Sequence, residues 1–281
     1  ESIAIHDVLG ANTYIHTLRG NIARVAPREN TEINDTWIAD RDRFSYEALN
    51  GPDRLTRPML KQGGQWQEVD WQTALEYVAN GIKSVREKHG ADAVGALVSP
   101  HSTLEELFLA SRLIRGLGSD SIDYRLRHAE FTPFEGVRWL GTSIASLSTL
   151  QSVLVFGSNL RKDHPLFAQR IRQAARHGCA VHAVNSAKYD WAMPVTTSVV
   201  VPASGWMRML AQIAAAVAEV KVIELPQDIV ETVGEPARAI AASLLAGERK
   251  AILLGNGAAH HAQASSILAL VQWIATHTGA T

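Results

Sequence analysis

Two short glycine-bearing segments offer this chain its best opportunity for ligand chemistry. Gly157-Ser158-Asn159 follows the apolar run Ser152 to Phe156, and Gly255-Asn256-Gly257 follows Ile252 to Leu254. Each apolar run reads as a buried strand, and a helix is expected beyond each segment. In open α/β sheets ligands gather at that edge, where loops and helix amino ends can hold phosphates. Neither segment has the G-x-G-x-x-G spacing of a dinucleotide site. The plain reading is a pair of tight turns that only glycine fits. The rival reading is a vestigial ligand site formed by Gly157, Ser158, Asn159, Gly255, Asn256 and Gly257.

Other reactive side chains are sparse or badly spaced. Cys179 is the single cysteine, so the chain can form no internal disulfide and cannot ligate an iron–sulfur cluster with its own thiolates. It lies between Gly178 and Ala180, just ahead of an expected buried strand, and reads as a small buried hydrophobe. Eleven histidines are present, without an H-x-x-x-H or H-E-x-x-H pattern. Adjacent His260 and His261 would point about 100° apart on a helix and make a poor chelate. His101, His164 and His177 fall near expected helix ends, where a protonated His177 would interact favourably with the dipole. There is no G-x-S-x-G elbow. Neither catalytic nor metal-ligating residues are therefore expected. Arg170, Arg172 and Arg176 read most simply as a solvated helix face, with a contact to another protein as the alternative.

The positioning elements follow from periodicity. Residues 1–28 show turn residues every eight to ten positions, the pattern of a small β meander, with turns at Gly10-Ala11-Asn12 and Arg19-Gly20-Asn21 and an end at Pro27. Short helical pieces are expected over 31–50. Leu75, Val78, Ile82 and Val85 recur at helix spacing after an Asp70 N-cap, and His89-Gly90 is a stop. A short strand follows at 94–98. Ser102-Thr103-Leu104-Glu105 reads as a capping box, and Gly116 and Gly118 close its helix. Beyond 150, strands at 152–156, 180–184 and 199–201 alternate with helices from Pro165 to His177-Gly178 and from 205 to 218, as in a parallel α/β sheet. A helix over 226–246, interrupted at Gly234-Glu235-Pro236, a strand at 252–254 and a helix over 262–277 complete the chain.

Bulk properties exclude several classes. With 281 residues, 46% hydrophobic and 20% charged, the chain can bury a core without disulfides or metal. A net charge of −1 gives no electrostatic case for nucleic acid. No run of about 18 apolar residues is present, so membrane insertion is not expected. Seven tryptophans point to contacts with other proteins. Glu1 in place of an initiating Met, and a helix running almost to Thr281, lead us to expect that both ends lie inside a longer polypeptide.

Longer stretches carry a family resemblance. Glu1-Ser2-Ile3, Asp7 and Gly10-Ala11-Asn12 lead into Gly20-Asn21-Ile22-Ala23-Arg24-Val25-Ala26-Pro27-Arg28. Then come Glu32-Ile33-Asn34-Asp35-Thr36-Trp37-Ile38-Ala39-Asp40, Arg43-Phe44-Ser45-Tyr46-Glu47-Ala48-Leu49 and Arg54-Leu55-Thr56-Arg57-Pro58-Met59. This order resembles the large iron–sulfur subunit of respiratory NADH:quinone oxidoreductase, complex I, downstream of its ferredoxin-like domains. Val69-Asp70-Trp71-Gln72-Thr73-Ala74-Leu75 is similar to a segment found across the molybdopterin oxidoreductase superfamily. Gly157-Ser158-Asn159-Leu160, Pro165-Leu166, Arg170-Ile171-Arg172 and Leu254-Gly255-Asn256-Gly257 extend the resemblance over almost the whole chain.

The resemblance implies an α/β fold: a small N-terminal β domain, then α/β domains with parallel sheets and an inserted Rossmann-like unit. Its boundaries would be 1–56, then 57–139 joined to 248–281, with 140–247 inserted and the strands at 94–98 and 252–254 sharing a sheet. It also implies [4Fe–4S] and [2Fe–2S] clusters upstream of Glu1, and other peripheral-arm subunits of complex I as partners. The location would be the cytoplasmic side of a bacterial inner membrane or the mitochondrial matrix side. Two departures matter. The first strands hold no cysteine, where cluster-binding relatives place several. Near Arg127-His128-Ala129, where formate dehydrogenase-like members hold a metal ligand, no thiol stands. No cofactor, and no molybdopterin, is expected in these 281 residues. The alternatives are a catalytic, formate dehydrogenase-like molybdopterin oxidoreductase and a free NAD(P)-binding Rossmann protein.

Overall fold

The computed structural model describes residues 1–100, 102–124, 139–226 and 232–281. The chain divides into two compact units, Glu1–Asn50 with His128–Thr281, and Gly51–Arg127.

The chain opens with a three-stranded antiparallel sheet, β1 (Ser2–Ile3), β2 (Asn12–Leu18) and β3 (Asn21–Pro27), in the order β1-β2-β3. The meander read from turn spacing is present. Its second turn carries positive φ at both Arg19 (51°) and Gly20 (84°), the twist that two-residue hairpins need. Helix α1 (Asp40–Phe44) and a 3₁₀ turn at Ser45–Leu49 follow, matching the short helical pieces expected over 31–50. The carboxamide of Asn34 ties this region together. Its oxygen accepts from the Asn12 amide at 2.9 Å, and its nitrogen donates to the carbonyls of Arg28 and Trp37, both at 3.1 Å.

In the unit Gly51–Arg127, the hairpin β4 (Met59–Gln62) and β5 (Gln65–Glu68) precedes helix α2 (Trp71–His89). Asp70 caps α2 by accepting from the Thr73 amide at 2.8 Å, and Gly90 ends it. Strand β6 (Ala96–Leu97) pairs in parallel with β7 (Ile122–Asp123), and α3 (Leu104–Gly116) lies between them in sequence. The capping box of α3 is real but sits one residue later than expected. Thr103 Oγ accepts from the Glu106 amide, and Glu106 returns a carboxylate oxygen to the Thr103 amide at 2.8 Å. Both Ser102 and Thr103 satisfy the S/T-x-x-E pattern, and only chain geometry decides between them.

A four-stranded parallel sheet forms the rest of the larger unit. Its strands are β8 (Ser152–Phe156), β9 (Ala180–Asn185), β10 (Thr197–Val200) and β11 (Lys250–Leu254), in the order β10-β9-β8-β11. Helices α4 (Leu160–Asp163) and α5 (Pro165–Arg176) join β8 to β9, with Pro165 in the first turn of α5. Helix α6 (Trp206–Lys221) and α7 (Glu235–Leu245) lead from β10 to β11, and α8 (Asn256–Ala259) and α9 (Ala264–Thr278) follow. Part of the helix expected over 226–246 falls outside the described residues; its remainder is α7, which begins at the Gly234-Glu235-Pro236 interruption. Every residue of β8 is buried, as a strand covered on both faces must be. Leu154, Phe156 and Val184 face a core completed by α6, α7 and α9, while Val153, Val155, Val181 and Ala183 face α5.

The sheet corrects one expectation. Strand β11 does not join the strand at 94–98; it pairs along its length with β8. Its other edge is engaged too, since the Thr281 amide donates to Lys250 O and the Ile252 amide donates to Thr281 O. A second correction concerns the arginines. Arg172 and Arg176 are exposed, but Arg170 is buried and donates to the carbonyls of Thr31 (2.6 Å) and Ile33 (3.2 Å). Helical spacing turns Arg170 toward the N-terminal segment, where those carbonyls lack partners in regular structure.

Candidate functional site

The chain runs outward through β8, β9 and β10, then returns to lay β11 on the opposite side of β8. Strand order therefore reverses between β8 and β11. In open α/β sheets the crevice beyond the carboxyl ends at such a reversal is where ligands bind. The two glycine segments lie there, one after Phe156 and one after Leu254.

The structure brings them into direct contact. The Gly257 amide donates to Gly157 O at 2.9 Å, the Gly255 amide to Phe156 O at 2.8 Å, and the Gly157 amide to Val184 O at 2.9 Å. A Cβ on Gly255 would stand 2.1 Å from Ser158 Cβ, and one on Gly257 would stand 2.7 Å from Gly157 O. Gly157 has φ +66°, and a Cβ there would meet the Ala258 amide nitrogen at 2.8 Å. These glycines are dictated by two loops packed on each other. Ser158 is buried, and its hydroxyl donates to Asp163 at the end of α4 at 3.0 Å. Asn159 is half-buried at the start of α4, and Asn256 is exposed at the start of α8. Of the six residues singled out from sequence, these two asparagines hold the most accessible polar side chains.

Sequence reasoning missed the residue that seals the crevice. Trp206, at the first position of α6, is 4% exposed and lies within 3.0 Å of the Cβ that Gly157 lacks and 2.9 Å of the Cβ that Gly257 lacks. Its ring meets Phe156 edge-on at 5.4 Å and stacks with His261 at 5.7 Å. His261 Nε2 lies 3.0 Å from Ala203 O, while its Nδ1 accepts from the Gln263 amide at 3.0 Å, so the ring carries its proton on Nε2. His261 is thus occupied by structure, and His260 beside it is exposed. The indole Nε1 of Trp206 is buried without a partner. Nothing in the run Ala203-Ser204-Gly205-Trp206 marks this role, because it depends on which loops meet at the sheet edge.

The remaining titratable groups fit structural roles. Cys179 precedes the amino end of β9, at the edge of the sheet opposite the crevice, and burial pushes its thiol up to about 11. His182, on β9, is 1% exposed; neither ring nitrogen has a partner, and burial lowers its pKa to about 4. Asp7 and Asp42 are buried, each with one carboxylate oxygen unpartnered. Burial raises Asp7 above the usual carboxylate range despite its bond from the Leu9 amide. His164, at the start of α5, is lowered by burial. His177 ends α5, and His101 lies outside the described residues, as do Arg127-His128-Ala129.

Comparison with known proteins identifies the frame. A family profile described as molybdopterin oxidoreductase matches residues 54–281. The chain belongs to the molybdopterin oxidoreductase family. A second profile, described as NADH-ubiquinone oxidoreductase NDSU1/NuoG-like, 4Fe-4S domain, matches residues 1–47. This molybdopterin oxidoreductase-family chain is 35% identical over 178 residues to the NuoG-type subunit of NADH-quinone oxidoreductase from Rickettsia felis, covering 63% of the chain and 26% of that protein. It is 28% identical over 192 residues to a Staphylococcus aureus protein bearing a formate dehydrogenase designation, covering 66% of the chain and 20% of the relative. Acetylene hydratase from Pelobacter acetylenicus shares the fold, with a TM-score of 0.64 and 15% identity over 100% of the chain and 43% of that protein. The chain thus spans about a quarter of the length of the NADH-quinone oxidoreductase relatives it matches.

The groups these relationships suggest do not fit the residues present. A [4Fe–4S] cluster needs about four thiolates, and residues 1–47 contain none. The polar interior there is Asp7, Thr13, Asn34 and Asp42. A molybdenum-type centre needs a soft ligand or a comparable donor at the crevice. The single thiol lies at the far edge of the sheet, and the Ser158 hydroxyl is spent on Asp163. Among the described residues no group of three or more His, Cys, Asp or Glu could hold a metal ion. Among them, too, no helix is long and apolar enough to cross a membrane.

Proposed function

We propose that the chain is a non-catalytic portion of the large iron–sulfur subunit of a respiratory NADH:quinone oxidoreductase. The observation that carries this is a molybdopterin oxidoreductase frame whose cluster domain is free of cysteine and whose ligand crevice is closed by Trp206 and the paired glycine loops. The NADH-quinone oxidoreductase relatives and the NuoG-like profile over residues 1–47 support it.

On this reading the parent enzyme passes electrons from NADH through flavin and iron–sulfur clusters to quinone. The [4Fe–4S] and [2Fe–2S] clusters of the large subunit belong to polypeptide upstream of Glu1. These 281 residues act as a scaffold that holds the cluster-bearing domains against other subunits of the peripheral arm. Its place is the cytoplasmic side of a bacterial inner membrane or the matrix side of a mitochondrial one. Anaerobic purification with added iron and sulfide tests the reading. The expected product is colourless, with no stoichiometric iron. A broad visible charge-transfer band with stoichiometric iron and sulfide would overturn it.

One observation favours a second reading, a retained ligand at the crevice. The buried Trp206 Nε1 lacks an acceptor, and a bound nucleotide or pterin could supply one beside the loops at 157–159 and 255–257. Pterin analysis of protein expressed with molybdate, and thermal shifts with NAD or NADP, separate the two readings. A ligand specific to the native state raises stability with its concentration.

A further inference from the structure

Residues Gly51–Arg127 have the shape of an α/β layer but lack what such a layer packs against. Helix α2 runs for 19 residues, none of them buried. Trp71, Leu75, Val78, Ile82 and Val85 follow one another at alternating steps of four and three, the spacing of a helix-packing seam. Leu75 on that seam is nonetheless 61% exposed. On α3, Phe108 is 60% exposed and its neighbours Leu104 and Leu109 are more so.

The strands show the same deficit. β6 and β7 pair in parallel through only two residues each, Ala96 with Ile122 and Leu97 with Asp123. Parallel sheets occur almost only with both faces covered and with more strands than two. Here a groove of about 530 Å³ lies open along Gly95–Leu97 and Asp120–Asp123. An exposed apolar surface of this kind marks an interaction site.

We infer that this face is the seat of a further segment of the same polypeptide. That segment would carry at least one strand lying parallel to β6 or β7 and a helix with an apolar face for the α2 seam. Two observations choose this occupant over a second copy. The NADH-quinone oxidoreductase relatives hold about three-quarters of their length outside the match, and acetylene hydratase, which contains the whole of this fold, holds more than half outside it. A two-fold pair of identical copies would bring equivalent strand edges together antiparallel, whereas β6 and β7 already define a parallel sheet, which grows by crossover connections within one chain. The inference does not depend on the electron-transfer reading, because a catalytic relative would need the same cover.

Hydrogen exchange of the full-length polypeptide tests it, read at the amides of α2 and compared with the 281-residue chain. The full-length protein is expected to exchange there at least roughly tenfold more slowly. Equal rates would overturn the inference. So would a stable dimer of the 281-residue chain that Leu75→Glu dissociates, which would assign the face to a second copy. A second arm uses the full-length protein alone. Val78→Asp, on the seam, is expected to speed α2 exchange at least roughly tenfold, while Asn80→Asp, on the opposite side of the helix, leaves it unchanged. No difference between the two variants would refute the seated segment.

Discussion

The most quantitative test concerns His182. The ring sits on the same face of β9 as Val184, 1% exposed, with both nitrogens unpartnered, and burial lowers its pKa to about 4 from an ordinary 6.5. The folded state therefore keeps the imidazole neutral where the unfolded chain protonates it. Between about pH 6.5 and pH 4 the unfolded state binds more protons, so stability falls as pH falls through that window and levels off below it. At about 1.4 kcal/mol per pKa unit, the loss relative to pH 7 is about 2 kcal/mol near pH 5 and about 3 kcal/mol near pH 4. His182→Leu removes the titration, and with it two buried polar atoms that lack partners, at similar side-chain volume. We expect the variant to equal or exceed the parent by up to about 2 kcal/mol at pH 7. Its advantage should then widen by a further ~3 kcal/mol on acidification to about pH 4. Urea unfolding of both proteins across this range, read as a difference so that other titrations cancel, measures the effect. A difference that stays flat with pH would refute the buried, unpartnered imidazole.

Other residues give sharper local tests. Asp7→Asn should stabilise the protein by about 1 kcal/mol at neutral pH, where the buried carboxylate is charged. Because the folded pKa of Asp7 is raised, the gain should shrink as pH falls through that pKa and the parent protonates, which unfolding curves at successive pH values will show. Gly255→Ala puts a Cβ 2.1 Å from Ser158 Cβ, so a loss of about 3 kcal/mol or more is expected in chemical denaturation. Arg170→Met removes the bonds to Thr31 O and Ile33 O; about 2–3 kcal/mol should be lost, and limited proteolysis should open the N-terminal segment first. The Cys179 thiol, buried and pushed up to about 11, should react with a disulfide reagent at about pH 8 only as fast as the protein unfolds.

Much of the frame is legible in the sequence, because it rests on local rules. The apolar run Ser152 to Phe156 announces a strand covered on both faces, Pro165 a helix start, and Arg19-Gly20 a hairpin turn. Asp70 is chosen as a cap by its own side chain and the amide three residues on. The absence of cluster and metal chemistry is also a sequence property, since no arrangement of one cysteine supplies four thiolates.

Neighbours distant in sequence decided the rest. Whether Gly157 and Gly255 cradle a ligand or each other cannot be read from either segment. The answer depends on β11 pairing with β8 instead of the strand near 96, and on Trp206 arriving from a third loop. Arg170 reads as a solvated charge until the carbonyls of Thr31 and Ile33 are folded against it. Periodicity fixes which face of a helix is apolar but not what covers it. α5 finds its core within these 281 residues, while α2, with an equally regular seam, leaves its apolar face exposed. Secondary structure here follows from interactions a few residues apart, whereas the state of the crevice follows from contacts spanning a hundred residues, which only the closed chain makes.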